Sequence, residues 1–90
     1  MSPSVDRPYQ WVSDESLAIS LELCEDIVET IGESVDELSS IVDMCRQRGD
    51  KMGQDYAAIV MSRVLYILEQ TVADRDAIEV EIRLRHDRQN

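Results

Sequence analysis

Nine apolar residues recur at alternating steps of four and three in the first half of this 90-residue chain. Because an α-helix has 3.6 residues per turn, residues with this spacing fall in one stripe along one helix face. The stripe, called the seam below, consists of Leu17, Leu21, Cys24, Val28, Ile31, Val35, Leu38, Val42 and Cys45. The spacing predicts one long amphipathic helix, from about residue 14 to about residue 47, whose seam must pack against other apolar surface.

Residues with known helix-capping properties mark the ends of this first helix. Ser13 can cap its N-terminus, and Asp14 places negative charge at the positive end of the helix dipole. Gly49 can adopt the left-handed conformation that ends a helix, and Asp50 can cap the next one. A second helix is therefore expected from about residue 51 to about residue 86, after a short turn.

The first part of the second helix is apolar on most sides. Its expected core stripe is Ala57, Val60, Met61, Val64, Ile67, Leu68 and Thr71. Within this stripe, Val60, Val64, Ile67 and Leu68 are expected to pack against the seam of helix 1 or against a second copy of the chain. A helix this apolar needs cover on more than one side.

The last part of the chain fits two patterns. Apolar and charged residues alternate from Ile78 to Arg85, which is the period of a β-strand. The same segment fits a helix through Ala73, Ala77, Val80 and Leu84, at steps of four, three and four. No second strand candidate exists in the chain, so we expect a helix that frays after Arg85.

These elements predict an all-α fold, a two-helix antiparallel hairpin over residues 13–90. A chain this short buries only about 60% of the surface that its unfolded form exposes. We therefore expect a homodimer that forms a four-helix bundle. Residues 1–12, which contain two prolines, are expected to form a flexible lead. Within it, Trp11 is expected to pack at the start of the first helix, with contact to a partner protein as the alternative.

The charged side chains along most of the first helix are all acidic. From Val12 to Cys45 the chain has ten acidic side chains and no lysine or arginine. The acidic ridge is the set expected on the outer face of helix 1: Glu22, Asp26, Glu29, Glu33, Asp36 and Asp43. A solvated face that only keeps the protein in solution is one interpretation. The other is a binding surface, because like charges one turn apart destabilise a helix and a mixed surface would avoid that cost.

The overall charge limits the class of partner. A net charge of −10 and a pI near 4.3 argue against direct nucleic-acid binding, which needs clustered lysine and arginine, and against anionic membranes. A basic protein surface is the electrostatic complement. Without a signal peptide or an apolar run long enough to span a membrane, the expected location is the cytoplasm, where two cysteines are expected to stay reduced.

Little in the chain points to catalysis. Carboxylate metal bundles use a Glu-x-x-His motif from each of two helices, but His86 is the only histidine and Arg83 stands three residues before it. We expect no metal, no cofactor and no enzymatic activity, and a thiol- or metal-dependent enzyme is the least favoured hypothesis.

The sequence therefore favours a small, non-catalytic, protein-binding regulator or inhibitor of a larger partner that is basic or handles nucleic acid. Phage- or plasmid-type anti-defence proteins and transcription antagonists fit this description by analogy. The alternative is a structural or secretion-chaperone module whose apolar face binds an amphipathic helix of its partner.

Overall fold

Two long helices make up the fold. The computed structural model describes residues 7–89, in which α1 spans Asp14–Arg48 and α2 spans Lys51–Gln89. The helices pack against each other in an antiparallel hairpin with overall extents of 60 × 27 × 16 Å. The predicted all-α hairpin is confirmed, and residues 74–89 are helical, not a strand.

The expected capping residues set the helix ends. The Ser13 hydroxyl accepts a hydrogen bond from the Ser16 backbone N–H at 3.2 Å. Gly49 ends α1 in the left-handed conformation (φ 72°, ψ 18°), and its N–H donates to the Arg46 carbonyl. The Asp50 carboxylate accepts from the N–H of Gly53 at 2.9 Å and so caps α2. The connection is therefore only two residues long.

The nine seam residues of α1 all lie toward α2. Leu17 and Val42 are buried and the other seven are half-buried, as expected where a single neighbouring helix provides the cover. A matching row on α2 has the same alternating spacing and is likewise buried or half-buried: Ala57, Met61, Val64, Leu68, Thr71, Arg75, Ile78, Ile82 and Arg85.

The second half of α2 faces α1 with a different set of residues from the expected one. Ala73, Val80 and Leu84 are exposed, whereas Arg75, Ile78 and Arg85 lie toward α1. The stripe through Ala73 and Leu84 contains apolar residues only. The inward row contains two arginines, so apolar periodicity does not predict it.

An ordered segment packs across the open end of the hairpin. Residues 7–12, called the strap below, form turns in which the Gln10 N–H donates to the Arg7 carbonyl and the Val12 N–H to the Tyr9 carbonyl. Within the strap, Trp11 is 86% exposed, so its expected packing against the first helix is wrong. The rest of the expected flexible lead, residues 1–6, lies outside the described residues.

Candidate protein-binding surfaces

The acidic ridge lies on the side of α1 that faces away from α2. All six of its side chains are exposed. From Glu22 to Asp36 the carboxylates follow one another at about 5 Å intervals along the helix axis, over about 21 Å in total. Within residues 7–89, the only ion pair of the ridge joins Asp43 to Arg46 at 3.5 Å, and both of these side chains are well exposed.

The two helices differ sharply in charge. The α1 segment has ten acidic and two basic side chains, which gives a net charge of −8, and α2 has seven acidic and six basic side chains, a net of −1 with His86 neutral. Among residues 7–89, no basic side chain of α2 forms an ion pair with the ridge. The ridge therefore presents uncompensated negative charge to solvent.

One side of the hairpin is apolar. A residue that immediately precedes a seam residue is rotated about 100° from the seam, and in antiparallel helices the same rotation leads to the same side of the pair. On this side lie the exposed residues Leu23, Ile27, Ile41 and Met44 of α1 with Tyr56 and Ile67 of α2, and Ile59 and Tyr66 adjoin them on the outer surface of α2. These eight residues are called the apolar face below. Ile67 was expected in the seam, but it is 52% exposed in the single chain.

The opposite side has a different composition. The residues that immediately follow seam positions there are mostly charged or small, among them Glu25, Ser39, Ser62 and Arg83, with Leu65 as the main exposed apolar side chain. The apolar face is therefore a property of one side of the hairpin and not of its whole surface.

The strap covers the open end of the same side through a charged cluster. Arg7 donates to both carboxylate oxygens of Glu81, from Nε at 3.0 Å and from Nη2 at 2.6 Å. Arg85 donates to Glu81 at 2.8 Å, to Asp14 at 2.7 Å and to the backbone carbonyls of Tyr9 and Gln10. Arg85 therefore links the strap to both helices.

Glu81 is the centre of this cluster. Its side chain is only 2% exposed, and the two arginines occupy its oxygens. The hydrogen bonds from Arg7 lower the pKa of Glu81 from 4.5 to about 2, with Arg85 acting in the same direction and burial opposing them. In return, the hydrogen bond to Glu81 raises the pKa of Arg7. A buried carboxylate with two cationic partners stays ionised and stabilises the strap in place.

Tyr9 gives the strap a second contact. Its hydroxyl lies 3.5 Å from the Asp74 carboxylate, and burial, followed by the charge of Asp74, raises the pKa of Tyr9. Burial likewise raises the pKa of Cys24, so this thiol stays protonated and unreactive near neutral pH. Cys24 and Cys45 are both free.

The sequence interpretation missed the cluster around Glu81 and did not define the apolar face, although it expected α2 to need cover on more than one side. The cluster around Glu81 depends on Arg7, which is 74 residues away in sequence, and no local pattern joins them. The apolar face did have a signal, because Leu23, Ile27, Ile41 and Met44 each stand one position before a seam residue.

Comparison with protein-family models, with characterised proteins and with solved structures finds no match to this chain. No helix within residues 7–89 is long and apolar enough to cross a membrane. In the same residues, no group of three or more histidine, cysteine, aspartate or glutamate side chains is arranged to hold a metal ion, and His86 is exposed. Among residues 7–89, the acidic ridge and the apolar face are the two candidate binding surfaces.

Proposed function

We propose that this protein is a cytoplasmic, non-catalytic regulator or inhibitor that binds a basic surface of a larger partner protein through the acidic ridge. The observation that carries the proposal is the run of five exposed carboxylates from Glu22 to Asp36, without an ion-pair partner within residues 7–89. Self-repulsion along such a row is relieved when cations of a partner approach it. Its spacing of about 5 Å is of the same order as the charge spacing of a nucleic-acid strand, which favours a partner that handles nucleic acid.

The ridge is tested with variants that change the net charge equally at two places. In the ridge variant, Glu22→Gln, Glu29→Gln and Glu33→Gln remove three charges from the outer face of α1. In the control, Asp55→Asn, Glu69→Gln and Asp87→Asn remove three exposed charges from α2. Binding is measured by calorimetry or fluorescence anisotropy against an arginine-rich peptide of about 15 residues, over a series of salt concentrations.

We expect the ridge variant to bind the peptide about tenfold more weakly than the wild type and the control to bind less than threefold more weakly. Affinity of the wild type should fall steeply as salt rises, because exposed charges are screened. Equal losses in the two variants would mean that only the net charge matters, and the ridge would not be a binding site. Affinity capture from the native host with the same pair of variants then identifies the partner.

We further propose that the protein is a homodimer, a four-helix bundle formed through the apolar face. The eight side chains of this face are 41–72% exposed. Since a large side chain presents about 150–250 Å² when fully exposed, the six side chains on this side amount to roughly 600 Å², and Ile59 and Tyr66 beside them add roughly 200 Å². The total of roughly 800 Å² exceeds the largest apolar patch of a typical monomer, about 300–600 Å², and is of the order that one partner contributes to a standard interface.

Light scattering at micromolar concentrations tests the dimer. We expect twice the chain mass of 10.3 kDa for the wild type and for Leu65→Gln, a control on the opposite side of the hairpin. Ile67→Gln should shift the protein toward the monomer, because it places an amide in the apolar interface. A monomer mass for the wild type throughout this range would contradict the dimer.

The apolar face also supports a second candidate function, a structural or secretion-chaperone module that binds an amphipathic helix of its partner. Salt separates the two candidates, because binding through an apolar face should hardly weaken as ionic strength rises. A partner that binds the ridge variant normally and the Ile67→Gln variant weakly would favour this second function.

A further inference from the structure

Two opposite charges interrupt the apolar face. Glu37 immediately precedes the seam residue Leu38, and Arg63 immediately precedes Val64, so both lie on the same side of the hairpin as the apolar face. Both side chains are exposed, and neither forms an ion pair among residues 7–89.

Glu37 and Arg63 also lie at the same level along the hairpin. The Ser39 hydroxyl contacts the Met61 sulfur at 3.9 Å, which sets the register of the two helices. Glu37 stands two residues before Ser39, and Arg63 stands two residues after Met61, so the antiparallel chain directions bring the two charges level. Each side chain lies on the outer flank of its own helix, so the width of the helix pair separates the two charges.

A second copy can pack on the apolar face with two-fold symmetry in two ways. If the axis runs along the helices, α1 of one copy lies against α2 of the other and both turns are at the same end. Because this rotation does not change positions along the helix axis, each Glu37 lies beside Arg63 of the other copy. If the axis runs across the helices, α1 lies against α1 and α2 against α2, the turns are at opposite ends, and Glu37 does not meet Arg63 of the other copy.

The charges of the whole helices favour the first arrangement. Placing α1 against α1 brings together two helices with a net charge of −8 each, whereas placing α1 against α2 pairs −8 with −1. The helix dipoles do not distinguish the two arrangements, because every helix has antiparallel neighbours in both.

We propose that the second copy packs on the apolar face with the two-fold axis along the helices, so that Glu37 of each copy forms an ion pair with Arg63 of the other. The proposal rests on the homodimer inferred above and adds its orientation and the residues that select it. Both pairs lie at the flank of the interface, where charges determine orientation more than they add affinity.

Charge reversal tests the pair. At low salt, sedimentation equilibrium measures the dimer dissociation constant of the wild type, of Glu37→Arg, of Arg63→Glu and of the variant with both changes. Controls with the same changes in net charge are Glu33→Arg on the acidic ridge and Arg83→Glu on the opposite side of the hairpin.

We expect each single reversal at Glu37 or Arg63 to weaken the dimer about tenfold relative to its control, and the double reversal to return to within about threefold of the wild type. In the crosswise arrangement, Glu37→Arg would not weaken the dimer beyond its control. A dimer whose single reversals match their controls therefore overturns the proposed orientation alone. A wild type that stays monomeric overturns the homodimer, and the orientation with it.

A distance between the two turns gives a second measurement that does not depend on charge. Met52 is 85% exposed beside the turn, so a spin label at Met52→Cys, with Cys24→Ala and Cys45→Ala, reports how far apart the turns are. We expect a distance of about 20–30 Å, from two helix pairs packed side by side. A distance close to the 60 Å length of the hairpin would show the crosswise arrangement and overturn the proposal.

Discussion

Glu81→Gln tests whether the charged cluster holds the strap to the hairpin. The substitution keeps the shape of the side chain and one acceptor oxygen, but it removes the negative charge that Arg7 and Arg85 share. Because Glu81 is almost fully buried, water replaces the lost interactions poorly. We expect the variant to be less stable at neutral pH and its strap to be more accessible to protease.

The size of the effect follows from the pKa of Glu81. A fall in the pKa from 4.5 to about 2 on folding corresponds to an upper limit of about 3–4 kcal/mol. A two-helix hairpin keeps water within one side chain of every group, so screening reduces the expected value to about 1–2 kcal/mol. Since the folded-state pKa is the lower one, this stability is fully present above about pH 5 and is lost as pH falls toward 2.

Urea unfolding, followed by circular dichroism at one protein concentration from pH 2 to pH 7, measures this dependence. The wild type should lose more free energy of unfolding between pH 5 and pH 2 than Glu81→Gln, by the same 1–2 kcal/mol. Glu69→Gln, an exposed position on the same helix, serves as the control and should keep the wild-type pH dependence. Equal pH dependence in the wild type and in Glu81→Gln would refute a stabilising role for the ionised Glu81.

Two glycine substitutions should change stability in opposite directions, as measured by urea unfolding. Gly32→Ala should raise the free energy of unfolding by about 0.5–1 kcal/mol, because Gly32 is inside α1 and an added Cβ meets no atom within 4 Å. Gly49→Ala should lower it by about 1–2 kcal/mol, because Gly49 has a φ of 72° in the turn and alanine is strained there. A stabilising Gly49→Ala would contradict the role assigned to the left-handed cap, and a destabilising Gly32→Ala would contradict the open space beside that glycine.

Local signals in the sequence determined the helices and their connection. The seam of α1 has a period that only a helix can place on one face, and all nine of its residues are buried or half-buried. Ser13, Gly49 and Asp50 contact backbone groups no more than five residues away, so their effects do not depend on the rest of the fold. The helical nature of residues 74–86 was also predicted, because an isolated strand would have had no partner.

The tertiary structure decided which face of α2 is buried at the open end and where the first described residues pack. An arginine or a buried glutamate is stable toward the interior only if an opposite charge meets it there, and for Glu81 that charge includes Arg7, from the other end of the chain. Apolar periodicity alone therefore favours a helix face through Ala73, Val80 and Leu84, while the structure buries Ile78 and Glu81. Local spacing determines that a segment is helical. The direction in which its charged residues point depends on contacts that form only when distant parts of the chain meet.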